Sequence, residues 1–88
     1  MKRTHTQPNI PIVFEDDHLL VIEKPVNVLS QADHTGDPDI VTLCQTYLNR
    51  SQNSPFVGLV HRLDRPVGGL MLLAKTRSAA DALSQQIR

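Results

Sequence analysis

The chain has 88 residues, 40% hydrophobic and 20% charged, with no tryptophan and one cysteine. These values fit one small globular domain, which buries only roughly 60–65% of the surface its unfolded form exposes, and they exclude a disordered chain and a disulfide scaffold. No apolar run approaches the length of a membrane-spanning helix, and MKRTHTQPNIP lacks the apolar stretch of a secretory signal. The lone Cys44 fits a reducing cytoplasm. The formal net charge of zero is unevenly laid out. Residues 1–56 hold four Lys/Arg against seven Asp/Glu, whereas residues 57–88 hold five against two. A basic second half suits a polyanionic partner, although a solvated surface accounts for such an imbalance equally well.

In chain order, IPIVFEDDHLLVIEKP predicts two short strands with a turn at Asp16–Asp17. Leu19–Ile22 is an unbroken apolar run suited to a strand covered on both faces, and Pro25, with no N–H for a ladder, stops it. The stretch VNVLSQADHTGDPD reads as a surface loop. Asp39 is placed to cap a helix running to about Arg50, with Ile40, Leu43, Cys44, Tyr47 and Leu48 forming one apolar stripe. FVGLV, ending at Val60, predicts a third strand and Gly69–Ala74 a fourth. Ser78 and Asp81 then have capping-box spacing for a second helix whose stripe is Ala80, Leu83 and Ile87. That helix meets no stop signal before Arg88. Strands and helices interleave as in a mixed α/β sheet.

The stretch GLVHRLDRPVGGLMLLAKT concentrates the chemistry. Asp64 follows a strand end, where functional groups are often displayed. Arg62 and Arg65 flank it, and positive charge nearby favours a carboxylate over a carboxylic acid, which suits a nucleophile or electrostatic stabiliser. Gly68–Gly69 permits tight turns or close approach to backbone. A surface Arg–Asp–Arg cluster beside an ordinary turn explains the same residues. His61 at a strand end is more often a hydrogen-bonded structural residue than an acid or base. Asp33, His34, Asp37 and Asp39 lack the spacing of zinc or calcium sites and read as a solvated loop. Cys44 reads as buried and inert.

HRLD, a short spacer, a glycine, an aliphatic run and Ala-Lys together resemble the motif of the RluA-type RNA pseudouridine synthases, a large bacterial-type family acting on ribosomal and transfer RNA. FEDDHLLVIEKP resembles the family's opening strands and the helix around Leu43 its first helix, so the likeness covers residues 12–88. It implies an α+β fold, a mixed and mainly antiparallel sheet with helices, forming the first part of a catalytic domain. It also implies Asp64 as the catalytic carboxylate that initiates cleavage of the N-glycosidic bond, with no metal or organic cofactor. RNA is the implied partner, and the cytoplasm the implied location. Arg62 either fills the place of an unstacked uridine or makes a phosphate contact or ion pair. Arg65, Lys75 and Arg77 are the other candidate RNA contacts.

Two departures stand out. Where the family spacer after HRLD reads x-x-Thr-Ser-Gly, this chain has Arg65-Pro66-Val67-Gly68-Gly69, so two hydroxyls are replaced. The family's catalytic domain is also longer, and it supplies from downstream segments a tyrosine that packs on the base and a basic residue that pairs with the carboxylate. Tyr47 is the only tyrosine, and its stripe position marks it as core. The expected organisation is therefore a flexible extension at residues 1–11 and a C-terminally truncated front part of the catalytic domain at 12–88, inactive alone. The alternative is a non-catalytic RNA-binding fragment or remnant.

Overall fold

A computed structural model describes residues 10–50, 53 and 55–87; the expected extension over residues 1–11 lies almost wholly outside them. Two short strands come first, β1 (Ile12–Glu15) and β2 (Leu19–Lys24), followed by helix α1 (Ile40–Leu48). Strands β3 (Gly58–Leu59) and β4 (Gly69–Ala74) and helix α2 (Arg77–Ile87) complete the order. The four strands form one sheet in the order β1-β2-β4-β3, and every strand pair is antiparallel. A single parallel bridge joins Leu29 to Asp39. The α+β architecture is the one the sequence implied.

The first turn lies where Asp16–Asp17 placed it. The Asp16 carboxylate accepts the backbone N–H groups of His18 (2.8 Å) and Leu19 (2.7 Å), an Asx turn that satisfies the loop locally. Those bonds hold its carboxyl below the ordinary carboxylate range. β2 and β4 pair over six residues each, from Leu19 opposite Ala74 to Lys24 opposite Gly69. Strand periodicity puts Leu20, Ile22, Met71 and Leu73 on one face, all of them fully buried. α1 covers that face with Ile40, Leu43, Cys44 and Leu48, and Val28 joins the cluster. The other face is only half covered: Leu19, Val21 and Leu72 are half-buried, Leu70 is exposed, and Ala74 alone is sealed. The expectation that β2 is enclosed on both sides therefore holds for one side. Val13 has no partner in the β1–β2 register, which shifts by one residue between Ile12 and Phe14, so β1 carries a bulge.

The helices start on side-chain caps. Asp39 accepts the Thr42 N–H at 3.0 Å, as expected. α2, however, begins at Arg77 rather than after Ser78. The Thr76 hydroxyl accepts the Ala79 N–H at 3.1 Å, because Thr76 is the first residue past the β4 ladder, which ends where Lys75 N–H bonds His18 O (2.8 Å). Ser78 sits inside the first turn. Ala80 and Leu83 are half-buried as the stripe required, while the Ile87 side chain lies outside the described residues. β3 is shorter than FVGLV suggested. Phe56 turns its ring under the Arg77 guanidinium, 5.1 Å from the centroid, and past Leu59 a side chain replaces the strand.

Tyr47 is not wholly core. Its ring packs half-buried against the cluster, but its hydroxyl donates to Glu15 at 2.7 Å. Glu15 also receives the Lys75 ammonium at 2.7 Å, and Lys75 additionally donates to Asp16 O. The Lys75 bond first and the Tyr47 bond second hold the Glu15 carboxyl below its ordinary value. A carboxylate so depressed contributes stability that is present above its unfolded pKa and lost as pH falls through the folded one. Tyr47→Phe is expected to cost about 0.5–1.5 kcal/mol at pH 7. Chemical denaturation from pH 7 to pH 3 should show the gap to wild type narrowing below about pH 4.5. A gap independent of pH would show that the carboxylate form contributes nothing.

Candidate active site

Asp64 lies in the loop between β3 and β4, on exposed backbone at the end of the sheet where Gly69 faces Lys24. Its neighbours are held from the segment after β2. The Ser30 hydroxyl donates to Leu63 O at 2.7 Å and accepts Leu63 N–H at 3.1 Å. On the other side, Arg65 O accepts the backbone N–H of Asn27 at 2.7 Å and the Lys24 ammonium at 3.0 Å. Asp64 O accepts Val67 N–H at 2.9 Å, closing a tight turn. The carboxylate itself is exposed, and among the described residues no side chain or N–H engages it.

Lys24 and Ser30 are almost fully buried, at 1% and 4% exposure. Among the described residues the ammonium has carbonyl partners only, Pro25 O at 3.1 Å and Arg65 O. Burial, and secondarily the positive Arg65, push its pKa down. Asn27 adopts a left-handed backbone, φ 66°, which Asn tolerates better than most side chains. These three residues drew no attention in the sequence. The available signals were a Lys-Pro pair closing an apolar strand and an Asn two residues on, which fits a left-handed position.

The flanking arginines do not form the surface Arg–Asp–Arg cluster that was the alternative reading of this stretch. Arg65 turns away to Asp37, 2.7 Å distant, both side chains being about two-fifths exposed. Arg62 is exposed and makes no hydrogen bond or ion pair to a described residue. His61 is hydrogen-bonded within the fold, as its position suggested: Nε2 accepts Leu72 N–H at 3.0 Å, continuing the β4 ladder beyond the short β3. Lys75 and Arg77 lie past the far end of β4, roughly 17 Å from Gly69 along a six-residue strand, and their charges meet Glu15 and the Phe56 ring. In the acidic loop each carboxylate has a local task. Asp33 accepts the N–H and hydroxyl of Thr35, Asp37 pairs with Arg65, and Asp39 caps α1. Cys44 is buried, its thiol pushed up to about 12 by desolvation.

The sequence profile described as RNA pseudouridylate synthase matches residues 18–88. The chain belongs to that family. Ribosomal large subunit pseudouridine synthase D of Xanthomonas campestris is 41% identical over 97% of this chain and 27% of its own length. The dual-specificity RNA pseudouridine synthase RluA of Vibrio parahaemolyticus is 38% identical over 94% of this chain and 32% of its own. A solved structure of human RNA pseudouridylate synthase domain containing 4 superposes with a TM-score of 0.74 at 24% identity, over 89% of this chain and 29% of that one, and so shares the fold. The chain thus spans about a quarter to a third of the length of these relatives. Among the described residues no helix is long and apolar enough to cross a membrane.

Gly68 leaves little room for a side chain. A Cβ on Gly68 would lie 3.0 Å from Lys24 O and 3.1 Å from Val26 Cγ1, so a serine there would press on the backbone that holds Lys24. Gly69, at φ 152°, adopts a conformation side chains disfavour. Gly68→Ala is expected to destabilise the fold by about 1–3 kcal/mol. Equilibrium urea unfolding should report it as a lower midpoint, and an unchanged midpoint would show that the loop yields freely.

Proposed function

We propose that this chain forms the part of an RNA pseudouridine synthase that carries the catalytic carboxylate, Asp64, and that the enzyme isomerises uridine within ribosomal or transfer RNA. The reading rests on one contrast. The Asp64 carboxylate is exposed and unengaged among the described residues, while the backbone on both sides of it is tied to buried groups. A surface ion-pair cluster would show the opposite, a paired carboxylate on ordinary loop backbone.

In the reaction the N1–C1′ glycosidic bond breaks and a C5–C1′ bond forms. The C5 hydrogen leaves as a proton and N1 takes one up, so the atoms balance without metal, redox partner or organic cofactor. Asp64 initiates the cleavage, at the sugar or at the base, and the freed uracil turns before rejoining the ribose. A uridine in folded RNA must first be unstacked. Arg62, planar, cationic and unpaired among the described residues, is free to take its place in the stack or to meet a phosphate. Arg65 must exchange Asp37 for RNA, which costs little because exposed pairs contribute about 0–1 kcal/mol. Lys75 and Arg77 would meet RNA only roughly 17 Å farther along. The place of action is the cytoplasm, with the ribosomal and transfer RNAs.

Residues 1–88 exchanged for the matching segment of the Xanthomonas campestris relative provide the test. Asp64→Asn keeps volume and loses charge. Single-turnover conversion of uridine in bound RNA is expected to fall more than about a thousandfold, roughly 4 kcal/mol in the barrier. RNA affinity and melting temperature should stay near wild type, since the group acts in the transition state. Normal conversion by the Asn variant would remove Asp64 from the mechanism. Arg62→Ala should weaken binding, and should lower the salt slope by about one if Arg62 meets a phosphate; unchanged affinity together with an unchanged slope would place Arg62 outside the RNA interface.

A further inference from the structure

Leu63 precedes Asp64 and belongs to no strand, yet its side chain packs half-buried against the core and its backbone N–H and C=O both need partners. One hydroxyl supplies both. Ser30 Oγ donates to Leu63 O at 2.7 Å and accepts from Leu63 N at 3.1 Å, using the donor and one of the two acceptor sites of a hydroxyl. Ser30 is itself well anchored. It is 4% exposed, its Oγ lies 3.8 Å from Met71 Sδ, and its carbonyl accepts Val41 N–H at 3.3 Å in the first turn of α1. The preceding carbonyl, Leu29 O, accepts Ile40 N–H at 2.8 Å. A continuous path of hydrogen bonds therefore runs from the capped start of α1 through Ser30 to the residue before Asp64.

We propose that Ser30 is a positioning residue for Asp64, fixing the carboxylate's backbone through its two bonds to Leu63. The proposal rests on Asp64 being the catalytic carboxylate. Arg65 O, on the other side, takes two bonds, from the Asn27 N–H and the Lys24 ammonium, whereas the Leu63 backbone is hydrogen-bonded to the 24–30 segment through Ser30 alone among the described residues. Loss of the hydroxyl frees one side of Asp64 only, so the loop should pivot about Arg65 rather than melt. Misplacement of a reacting group by about 1 Å is enough to lower a rate about a hundredfold.

The experiment compares Ser30→Ala with Ser30→Thr, which keeps the hydroxyl, and with Tyr47→Phe, which weakens the fold away from this loop. In the 88-residue chain, amide exchange and backbone 15N relaxation are measured. Ser30→Ala should speed Leu63 exchange at least about tenfold and bring the Asp64 order parameter below about 0.6, while Leu20, Ile22 and Leu73 shift only with global stability. Ser30→Thr should restore both signals, and Tyr47→Phe should leave them unchanged. In the exchanged enzyme, Ser30→Ala should lower kcat about 10–100-fold with KM for RNA within about twofold. A uniform loss of protection throughout the chain, a Ser30→Ala loop as ordered as wild type, or a disordered loop with unchanged kcat would each overturn the proposal. Asp64→Asn in the same assay separates the two ideas. If it stays active, the catalytic assignment fails; if it is inactive while Ser30→Ala matches wild type, only the role of Ser30 fails.

Discussion

The buried ammonium of Lys24 is the constraint that organises this part of the molecule. A charged group taken out of water is costly unless dipoles replace the lost solvation. Here the replacement consists of two main-chain carbonyls, Pro25 O and Arg65 O, with no carboxylate among the described residues. The first comes with the chain, since Pro25 is the next residue. The second lies 41 residues away, so β2 can end in a buried cation only if the loop after β3 folds back over it. The burial that lowers the Lys24 pKa therefore also specifies where the Asp64 loop must lie. Gly68 lets that loop approach closely, because a side chain there would meet the Lys24 main-chain carbonyl and Val26.

A second regularity is the use of side chains where strands run out. β3 has only two residues, too few to complete the ladder along β4. The His61 ring takes the Leu72 N–H, the Ser30 hydroxyl takes both polar groups of Leu63, and the Asp16 carboxylate takes two N–H groups of the first turn. Each replaces a main-chain partner that a longer strand would have provided, and an unpaired backbone group inside the protein would cost about 1–3 kcal/mol. Lys75 works in the same manner at the far end, joining the β1–β2 turn to the end of β4 through Glu15 and Asp16 O.

Much of this was legible in the sequence because it depends on local pattern. The apolar runs of β2 and β4, the stripe of α1 and the Asp39 cap are all written within a few residues of where they act, whereas the one-sided burial of Leu20, Ile22, Met71 and Leu73 was not, because a continuous apolar run does not say which face is covered. The family motif was legible for the same reason, being a contiguous run around Asp64. What escaped was set by partners distant in sequence. The Lys-Pro pair that closes β2 is the one local sign of Lys24, and it does not announce burial, because the second carbonyl comes from Arg65. Ser30 looked like one more polar loop residue, and its bonds to Leu63 span 33 positions. Thr76 displaced Ser78 as the cap because the β4 ladder, by ending at Lys75, decides where the helix can begin. The Arg–Asp–Arg cluster, the alternative reading of this stretch, does not form because Arg65 pairs with Asp37, a partner 28 positions away.

These features bear on why a catalytic carboxylate would sit on such a loop. A group that reacts must stay accessible, so it cannot be fixed by packing its own side chain. Hydrogen bonds to the carboxylate would stabilise the state before reaction as much as the transition state, which adds nothing to the rate. The remaining way to limit its freedom is to fix the backbone on either side. Tying a residue down costs about 1–2 kcal/mol of conformational entropy, and here that cost is met on folding, by bonds to Leu63 and Arg65 that the substrate need not make. On the proposed reading, the carboxylate would be aimed before RNA arrives while keeping its capacity to interact. Arg65 fits the same logic, since its exposed bond to Asp37 holds a cation beside the site without neutralising Asp64. Fixed backbone, free carboxylate and cations nearby are what a preorganised site requires, and in this chain all three originate in the segment that folds around one buried lysine.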